Sequence, residues 1–146
     1  MNYEFMTRCH TEAVAEIEKI CFSDPWSLNS VNSELDNPLS LWIVAMDGDR
    51  VVGYVGSQTV LGDADMMNLA VLPEFRRLGI GKELVKQLIN ALQSRSAQSL
   101  SLEVRQSNVP AIQLYESLGF LQVGLRPNYY KNPKENALIL RKEWQL

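Results

Sequence analysis

The chain has 146 residues, of which 46% are hydrophobic and 21% are charged, and its formal net charge is −3. This length predicts a single domain over residues 1–146, and the composition excludes a disordered or fibrous protein. Apolar runs fall short of the roughly 18 residues of a membrane helix, no signal-peptide pattern is seen, and the charge gives no basic field for nucleic acid. We therefore expect a cytoplasmic protein that binds neither membrane nor nucleic acid.

The N-terminal part is predicted to form a short strand and two helices. Tyr3 to Thr7 alternates enough for the strand, and Thr11 can cap the first helix. Pro25 and the residues beside it break that helix, and Ser27 caps a second helix to about Asp36. The predicted inward stripe of the first helix consists of Ala13, Val14, Ile17, Ile20 and Cys21.

The chain has two cysteines, Cys9 and Cys21, and one histidine, His10. This set favours neither a zinc site nor a disulfide framework, so no metal is expected. Cys21 is predicted to be a core residue, and His10 a solvated or helix-capping residue.

Three antiparallel strands are predicted next. They cover Leu39 to Met46, Val51 to Val60 and a run starting at Met66, with an Asp47-Gly48 hairpin turn after the first and a Gly62-Asp63 turn after the second. The third run is apolar through Leu72 and ends at a proline, as expected of a buried strand.

This strand leads into a glycine-bearing loop, Arg76-Arg77-Leu78-Gly79-Ile80-Gly81-Lys82, and then into a helix. The first amides of a helix lack intrahelical partners and carry the positive end of its dipole, and glycines let a phosphate come close. Because Arg76, Arg77 and Lys82 add formal positive charge, the segment is predicted to bind an anion. The simpler interpretation is a strand-to-helix turn with solvated basic residues.

Two nucleotide motifs are excluded at this loop. A P-loop requires Gly-Lys followed by Ser or Thr, whereas Glu83 follows Lys82. The dinucleotide fingerprint requires a third glycine at the position of Leu84. The phosphate-bearing ligand is therefore of another kind.

The remainder is predicted as strand, helix and two strands. Ser99 to Val104 alternates with period two, and Asn108 opens a helix that Gly119 ends. Strands follow at Phe120 to Leu125 and Ala137 to Leu140, with a polar-aromatic loop at Arg126 to Pro133 between them. The whole order predicts a mixed α/β fold.

The loop pattern Arg76-x-x-Gly79-x-Gly81 resembles the acetyl-CoA signature of the GCN5-related N-acetyltransferase (GNAT) superfamily, and the segment from Leu114 to Phe120 resembles its Leu-Tyr-Glu-Lys-Leu-Gly-Phe segment. The resemblance implies a mostly antiparallel sheet of about seven strands, splayed between the fourth and fifth and flanked by about four helices. It also implies acetyl-CoA as co-substrate, without a metal. The implied cofactor-binding residues are Leu69, Ala70, Val71, Arg76, Arg77, Leu78, Gly79, Ile80, Gly81, Lys82, Asn108 and Tyr115.

The resemblance also implies two catalytic residues. Tyr115 would protonate the leaving thiolate, since a phenol with a pKa of about 10 keeps its proton at neutral pH, and Glu103 would accept the amine proton, directly or through a water. The alternatives are a tyrosine packed on its helix face and a carboxylate on a solvated strand face or in an ion pair. Asn108 can equally be a plain helix cap.

Within the superfamily, three segments resemble the RimI family of bacterial ribosomal-protein N-acetyltransferases: Pro25-Trp26-Ser27, Leu102-Glu103-Val104-Arg105 and Arg126-Pro127-Asn128-Tyr129-Tyr130. That resemblance implies acetylation of the N-terminal alanine of small-subunit ribosomal protein 18. Trp26, Tyr129 and Tyr130 would then border the acceptor groove, unless they are loop anchors that pack on the core. The segment Asn132 to Asn136 departs from the family pattern and leaves its role open.

Two other functions stay open at this point. One is a GNAT enzyme that acts on a lysine side chain or a small amine, because the fold does not fix the acceptor. The other is a non-catalytic acyl-CoA-binding module, which would need neither Glu103 nor Tyr115. The oligomeric state is left open, with a monomer favoured.

Overall fold

A computed structural model describes residues 1–144 of the chain. Within these residues the chain forms seven strands, four α-helices and two short 3-10 helices at Arg8–His10 and Pro73–Phe75. The strands are β1 (Asn2–Phe5), β2 (Ser40–Asp47), β3 (Arg50–Val60), β4 (Asp63–Val71), β5 (Ser99–Arg105), β6 (Leu121–Tyr130) and β7 (Glu135–Glu143). The helices are α1 (Thr11–Cys21), α2 (Leu28–Leu35), α3 (Ile80–Ser94) and α4 (Val109–Ser117).

All strands belong to one sheet with the order β1-β2-β3-β4-β5-β7-β6. Every neighbouring pair is antiparallel except β4 and β5, which are parallel because α3 carries the chain back between them. The predicted mixed α/β fold, with its antiparallel meander ahead of the glycine loop, is confirmed.

The parallel pairing of β4 with β5 is short. It joins Asp63–Asp65 to Ser99–Ser101, after which the described ladder of β4 is with β3 and that of β5 is with β7. The sheet is therefore splayed at this position, as the resemblance implied. The backbone of β4 from Met66 onward borders a gap at the end of the sheet where α3 begins.

A register shift in β4 lies beside this gap. Gly56 of β3 pairs with Asn68, but the next residue, Ser57, pairs with Met66, so Met67 is an extra residue. Such a bulge bends a strand and re-aims the side chains around it. Asn68 and Leu69 consequently follow a local change in strand direction.

The predicted stripe of α3 is confirmed. Each fully buried leucine in it stabilises the fold by about 1.5–3 kcal/mol relative to an exposed one. The stripe consists of Leu84, Val85, Leu88, Ile89 and Leu92, and all five are buried.

The predicted stripe of α1 is partly wrong. Val14 and Ile17 are buried, but Ile20 is 59% exposed and Glu18 is fully buried in the inward face. The helix is rotated about its axis relative to the prediction because polar partners from distant elements satisfy the Glu18 carboxylate. Cys21 is half-buried and packs against the core, and Cys9 and Cys21 are both free thiols.

His10 takes part in the cap at the N-terminus of the first helical segment. It is 4% exposed, its Nδ1 accepts a hydrogen bond from the Thr7 N–H at 3.0 Å, and its Nε2 lies 3.0 Å from Glu4 Oε1. The capping role is the one that the structure shows, and the solvated alternative is wrong. The predicted cap of α2 is also confirmed, since Ser27 Oγ accepts from the Ser30 N–H at 3.1 Å.

The last two strands are longer than predicted. β6 continues through Tyr130 and β7 begins at Glu135, so most of the predicted Arg126–Pro133 loop is strand. β6 is an edge strand, where the missing N–H of Pro127 costs no central ladder bond. Its register with β7 shifts at two places, between Gln122 and Gly124 and between Arg126 and Tyr130.

No helix within residues 1–144 has the length and apolar character needed to cross a membrane. In the same range, no cluster of three or more histidine, cysteine, aspartate or glutamate side chains could hold a metal ion.

Candidate active site

Tyr115 approaches the gap from α4. Its side chain is 6% exposed, its ring packs edge-on against Phe120 at 5.6 Å between centroids, and its hydroxyl lies 3.7 Å from the sulfur of Met66 on β4. Burial raises the pKa of Tyr115 well above its usual value of 10, and the nearby Tyr130 adds to the increase. The phenol therefore keeps its proton at neutral pH, so it has a proton to donate.

Local sequence fixes the helix that carries Tyr115. Asn108 is the N-cap of α4, with its Oδ1 accepting from the Ala111 N–H at 3.3 Å, and Pro110 occupies the first turn. At the other end Gly119 adopts a φ of +91°, and the Phe120 N–H donates to the Tyr115 carbonyl at 3.1 Å. The capping role of Asn108 is confirmed, while its contact with a cofactor stays a prediction.

Glu103 lies on the other strand that borders the gap, β5. The alternating burial of this strand places it with Ser101 and Arg105, opposite the buried Leu102 and Val104, as predicted. Its side chain is 32% exposed and lies 3.3 Å from the Nε of Arg126. Tyr129 donates its hydroxyl to Glu103 Oε2 at 3.5 Å. The ion-pair alternative is present, but in a half-exposed position where such a pair stabilises little.

Tyr129 and Tyr130 lie at the end of β6, between the two predicted catalytic residues. Their rings pack edge-on at 5.1 Å between centroids, and Tyr129 is 48% exposed. Burial raises the pKa of Tyr130 to about 12. The structure thus connects Glu103, Tyr129 and Tyr130 by direct contact, with Tyr130 near enough to Tyr115 to affect its titration.

Arg105 binds the turn between β6 and β7 through hydrogen bonds and an ion pair, beside Tyr130. Its guanidinium lies 4.4 Å from the centre of the Tyr130 ring, donates to the carbonyls of Pro133 and Lys131 at 2.9 and 3.1 Å, and pairs with Glu135 at 3.3 Å. Glu135 also accepts from the Ser107 N–H at 2.6 Å, and its hydrogen bonds with Ser107 hold the pKa of Glu135 below its usual value. The segment whose role the sequence left open therefore binds Arg105, whose guanidinium packs on the Tyr130 ring.

The glycine loop has the backbone of an anion site. Arg77 and Gly79 both have positive φ, at 63° and 80°, and Gly79 is the N-cap of α3. The Glu83 N–H donates to the Gly79 carbonyl, so the amides of Ile80, Gly81 and Lys82 belong to the first turn, where intrahelical acceptors are missing. Nothing lies within 4 Å of a side-chain carbon built on Gly79.

The basic residues of the loop divide into two groups. All three are exposed, and the side chains of Lys82 and Arg77 have no described hydrogen bond. Arg76 instead turns back and donates from its Nε to the Val71 carbonyl at 3.1 Å, with its Nη2 3.5 Å from the sulfur of Cys21. Arg76 therefore holds the end of β4 in place beside the loop.

Replacing Gly79 by alanine is expected to weaken binding of coenzyme A about tenfold or more. A Cβ at a φ of +80° costs about 1–2 kcal/mol and stands in the space that a phosphate would enter. Isothermal titration of coenzyme A measures the loss. Gly48→Ala in the β2–β3 turn is the control, because Gly48 also has positive φ and open space around it. Equal weakening in both variants, or in neither, would contradict an anion site at Gly79.

Leu69, Ala70 and Val71 lie on β4 where it borders the gap. They pair with Val55, Tyr54 and Gly53 on one side, which leaves their other edge toward β5. The Val71 carbonyl is occupied by Arg76. The predicted holding of a pantetheine arm by these backbone groups fits this placement and stays a prediction.

Trp26 packs on the core rather than standing free at the gap. Its ring meets Trp42 edge-on at 5.4 Å between centroids, and the residue is half-buried. This is the anchoring role that the sequence left as an alternative. The described contacts do not join Trp26 to Tyr129 or Tyr130, so its place in an acceptor groove stays a prediction.

Sequence reasoning missed a buried polar group close to the gap. Glu18 of α1 accepts hydrogen bonds from Asn68 of β4, Tyr54 of β3 and the backbone N–H of Trp26. Burial raises the pKa of Glu18, although the hydrogen bonds from Trp26 and Asn68 oppose the increase. One signal was available, since Glu18 follows Val14 by four residues and interrupts the apolar face of α1.

An open cavity of about 940 Å³ lies elsewhere, and His10, Ile17 and Asp49 are among the residues that line it. None of the predicted site residues borders it. The two predicted catalytic residues lie instead beside the open gap between β4 and β5.

The splayed sheet and the glycine turn ahead of α3 are those of an acyltransferase fold. The chain belongs to the acetyltransferase (GNAT) family, whose model matches residues 11–120. The resemblance stated from the loop and the Tyr115 segment is thereby confirmed, and so is the enzyme class.

Relatives narrow the family to the RimI branch. The chain is 38% identical over 136 residues to the [ribosomal protein bS18]-alanine N-acetyltransferase of Haemophilus influenzae, covering 90% of this chain and 91% of that one. It superimposes on the crystal structure of the ribosomal-protein-S18-alanine N-acetyltransferase from Escherichia coli with a TM-score of 0.91 and 32% identity, covering 99% and 94% of the two chains. An aminoglycoside 6′-N-acetyltransferase complexed with coenzyme A shares the fold, with a TM-score of 0.85 at 19% identity and 98% and 97% coverage.

Proposed function

We propose that this enzyme transfers the acetyl group of acetyl-CoA to the N-terminal α-amine of a protein, with the N-terminal alanine of ribosomal protein bS18 as the substrate. Residues 1–146 would act as a single acetyltransferase domain, in the cytoplasm where ribosomal proteins are made. The observation that carries the proposal is that a buried phenol, Tyr115, reaches β4 at Met66 while a half-exposed carboxylate, Glu103, lies on β5, the two strands that stop pairing at the gap. The relatives named above support the acceptor.

The cofactor half of the site fits a coenzyme A thioester. Backbone amides in the first turn of α3, with Arg77 and Lys82 beside them, would bind its pyrophosphate, and Asn108 would add a polar contact. The β4 edge at Leu69, Ala70 and Val71 offers backbone groups to its pantetheine arm. When bound, the thioester supplies the acetyl group and a thiolate as leaving group.

Glu103 is the residue suited to remove the amine proton. Its carboxylate already holds a guanidinium at 3.3 Å, so the position accepts a cation, and an α-ammonium with a pKa of about 8 can take that place. The Arg126 guanidinium also lies 5.8 Å from the centre of the Tyr129 ring, so the ring beside Glu103 attracts the same cation, and an ammonium that displaces Arg126 can meet both groups. Glu103 then takes the proton, directly or through a water.

Tyr115 is the residue suited to protonate the departing sulfur. The raised pKa of its phenol ensures that a proton is present, and the hydroxyl already lies near a sulfur atom, that of Met66. Donation to a thiolate would leave a phenolate in a buried site, so the proton must be regained from solvent after the product leaves.

Mass spectrometry with acetyl-CoA and two peptides tests the proposal. One peptide begins with the free N-terminal alanine of ribosomal protein bS18, and the other has a blocked N-terminus and one internal lysine. We expect a gain of one acetyl group on the free α-amine only. Acetylation of the lysine peptide alone would overturn the acceptor, and binding of acetyl-CoA without either product would favour the non-catalytic module.

A further inference from the structure

The fully buried carboxylate of Glu18 connects two elements that border the proposed site. Its Oε1 accepts from the Trp26 N–H at 2.9 Å, in the turn between α1 and α2. Its Oε2 accepts from the Asn68 side chain at 2.9 Å and from the Tyr54 hydroxyl. The bonds therefore span α1, the turn before α2, and strands β3 and β4.

This arrangement costs stability in itself. All three described donors are neutral, so no positive charge offsets the burial of the carboxylate, and burial raises its pKa. Apolar side chains at this position and at its side-chain partners would fill the same space without that cost, whereas an apolar side chain at position 18 alone would leave the buried donors without an acceptor. The carboxylate contributes something else, namely fixed geometry between the elements that it joins.

The elements that Glu18 joins are β4 and the α1–α2 turn, and the proposed reaction requires a fixed position of one relative to the other. Asn68 follows the bulge residue Met67 and precedes Leu69, so its side-chain bond sets the direction of β4 at the gap. The Trp26 N–H belongs to the turn between α1 and α2, and the Trp26 ring packs on Trp42. Because bulges and turns are locally adaptable, a single acceptor that holds both limits how far they move apart.

We propose that Glu18 is a positioning residue that locks the β4 bulge to the α1–α2 turn and so keeps the acetyl-holding strand aligned with the acceptor side. The inference rests on the proposed function, since it assigns β4 to the cofactor and the turn to the acceptor. Glu18 is fully buried and does not touch the reacting atoms.

The test compares Glu18→Gln with Glu34→Gln. Glutamine keeps the size of Glu18 but replaces one acceptor oxygen by an NH2 donor, so it cannot accept from Trp26, Asn68 and Tyr54 at once, and at least one of the three contacts must break or reverse its direction. Glu34 is the matched control, because it is also a buried carboxylate with neutral donors, Trp42 Nε1 at 3.3 Å and Gln58 Nε2 at 2.8 Å, and these do not include β4. Both variants lose some stability, which thermal unfolding measures.

Kinetics with the alanine peptide separates positioning from packing. Glu18→Gln is expected to lower kcat/KM about 10- to 100-fold, the range for a misplacement of about 1 Å, with changes in both kcat and the peptide KM. Glu34→Gln is expected to leave both constants near wild type. Equal kinetics in the two variants at equal loss of stability would overturn the proposal.

Asn68→Ala keeps the test decisive if Glu18→Gln does not fold. It removes only the hydrogen bond from β4 to Glu18, so kcat is expected to fall while the peptide KM stays within about twofold. A normal kcat in Asn68→Ala would show that the bond to β4 positions nothing.

Hydrogen exchange makes the outcome independent of the acceptor. Relative to Glu34→Gln, the Glu18→Gln variant is expected to exchange faster in residues 22–27 and 66–71. If wild type fails to acetylate the alanine peptide, the proposed function fails, yet faster exchange in both segments still supports the coupling. Unchanged exchange in both segments would overturn it.

Discussion

Replacing Tyr115 by phenylalanine is expected to lower kcat at least about 100-fold, because general acid catalysis contributes roughly 10²- to 10⁴-fold. The fold should be unaffected, since phenylalanine keeps the edge-on packing against Phe120 and loses only the long contact with the Met66 sulfur. Coenzyme A should bind as in wild type. Steady-state kinetics and isothermal titration together measure the two effects.

Tyr3→Phe on β1 is the control for this substitution, because it removes a hydroxyl from a half-buried tyrosine outside the site. The pH profile adds a second check. Because the pKa of Tyr115 is raised, the phenol is not expected to lose its proton near pH 10, so its ionisation should not limit activity there. Wild-type turnover in Tyr115→Phe would remove the acid role and leave Tyr115 as a packing residue.

Replacing Glu103 by glutamine is expected to lower kcat/KM about 100-fold at neutral pH. Without a base, only acceptor molecules that are already deprotonated can react, so activity should continue to rise with pH toward the amine pKa of about 8. The variant should need a higher pH than wild type for the same rate. A rate profile from pH 6 to 9.5 with the alanine peptide measures this shift.

Arg126→Gln distinguishes a base from an ion-pair partner. If Glu103 served mainly to pair with the Arg126 guanidinium, both substitutions would cost the same activity. We expect a much smaller fall in Arg126→Gln, because the carboxylate remains. Identical pH profiles for wild type and Glu103→Gln would show that the base lies elsewhere.

Features that depend on residues close together in the chain were predictable from the sequence. The Ser27 and Asn108 caps, the α3 stripe and the glycine turn each depend on residues within a few positions of one another. The alternation that places Glu103 beside Arg105 is also local. These elements position the gap, which is why the sequence could predict where the strands, caps and glycine turn around it lie.

Features that depend on distant partners were not predictable. Glu18 is buried because Tyr54 and Asn68, 36 and 50 residues away, supply its donors, and although Glu18 interrupts the apolar face of α1, the sequence of α1 does not identify these partners. The extension of β6 through Tyr130 depends on its pairing with β7 around Pro127. The packing of Trp26 on Trp42 is likewise a tertiary contact, so the sequence alone could not decide between a core anchor and a wall of the acceptor groove.

The outer strand of the sheet has a consequence for how copies of the protein meet one another. β6 exposes Leu121 and Val123, at 71% and 60%, along an edge that could otherwise template a strand from another molecule. Its two register breaks and Pro127 interrupt the row of free N–H and C=O groups, so no long, flat run remains for intermolecular pairing. The irregularity that carries Tyr129 and Tyr130 to the gap therefore also protects the chain against aggregation through its edge.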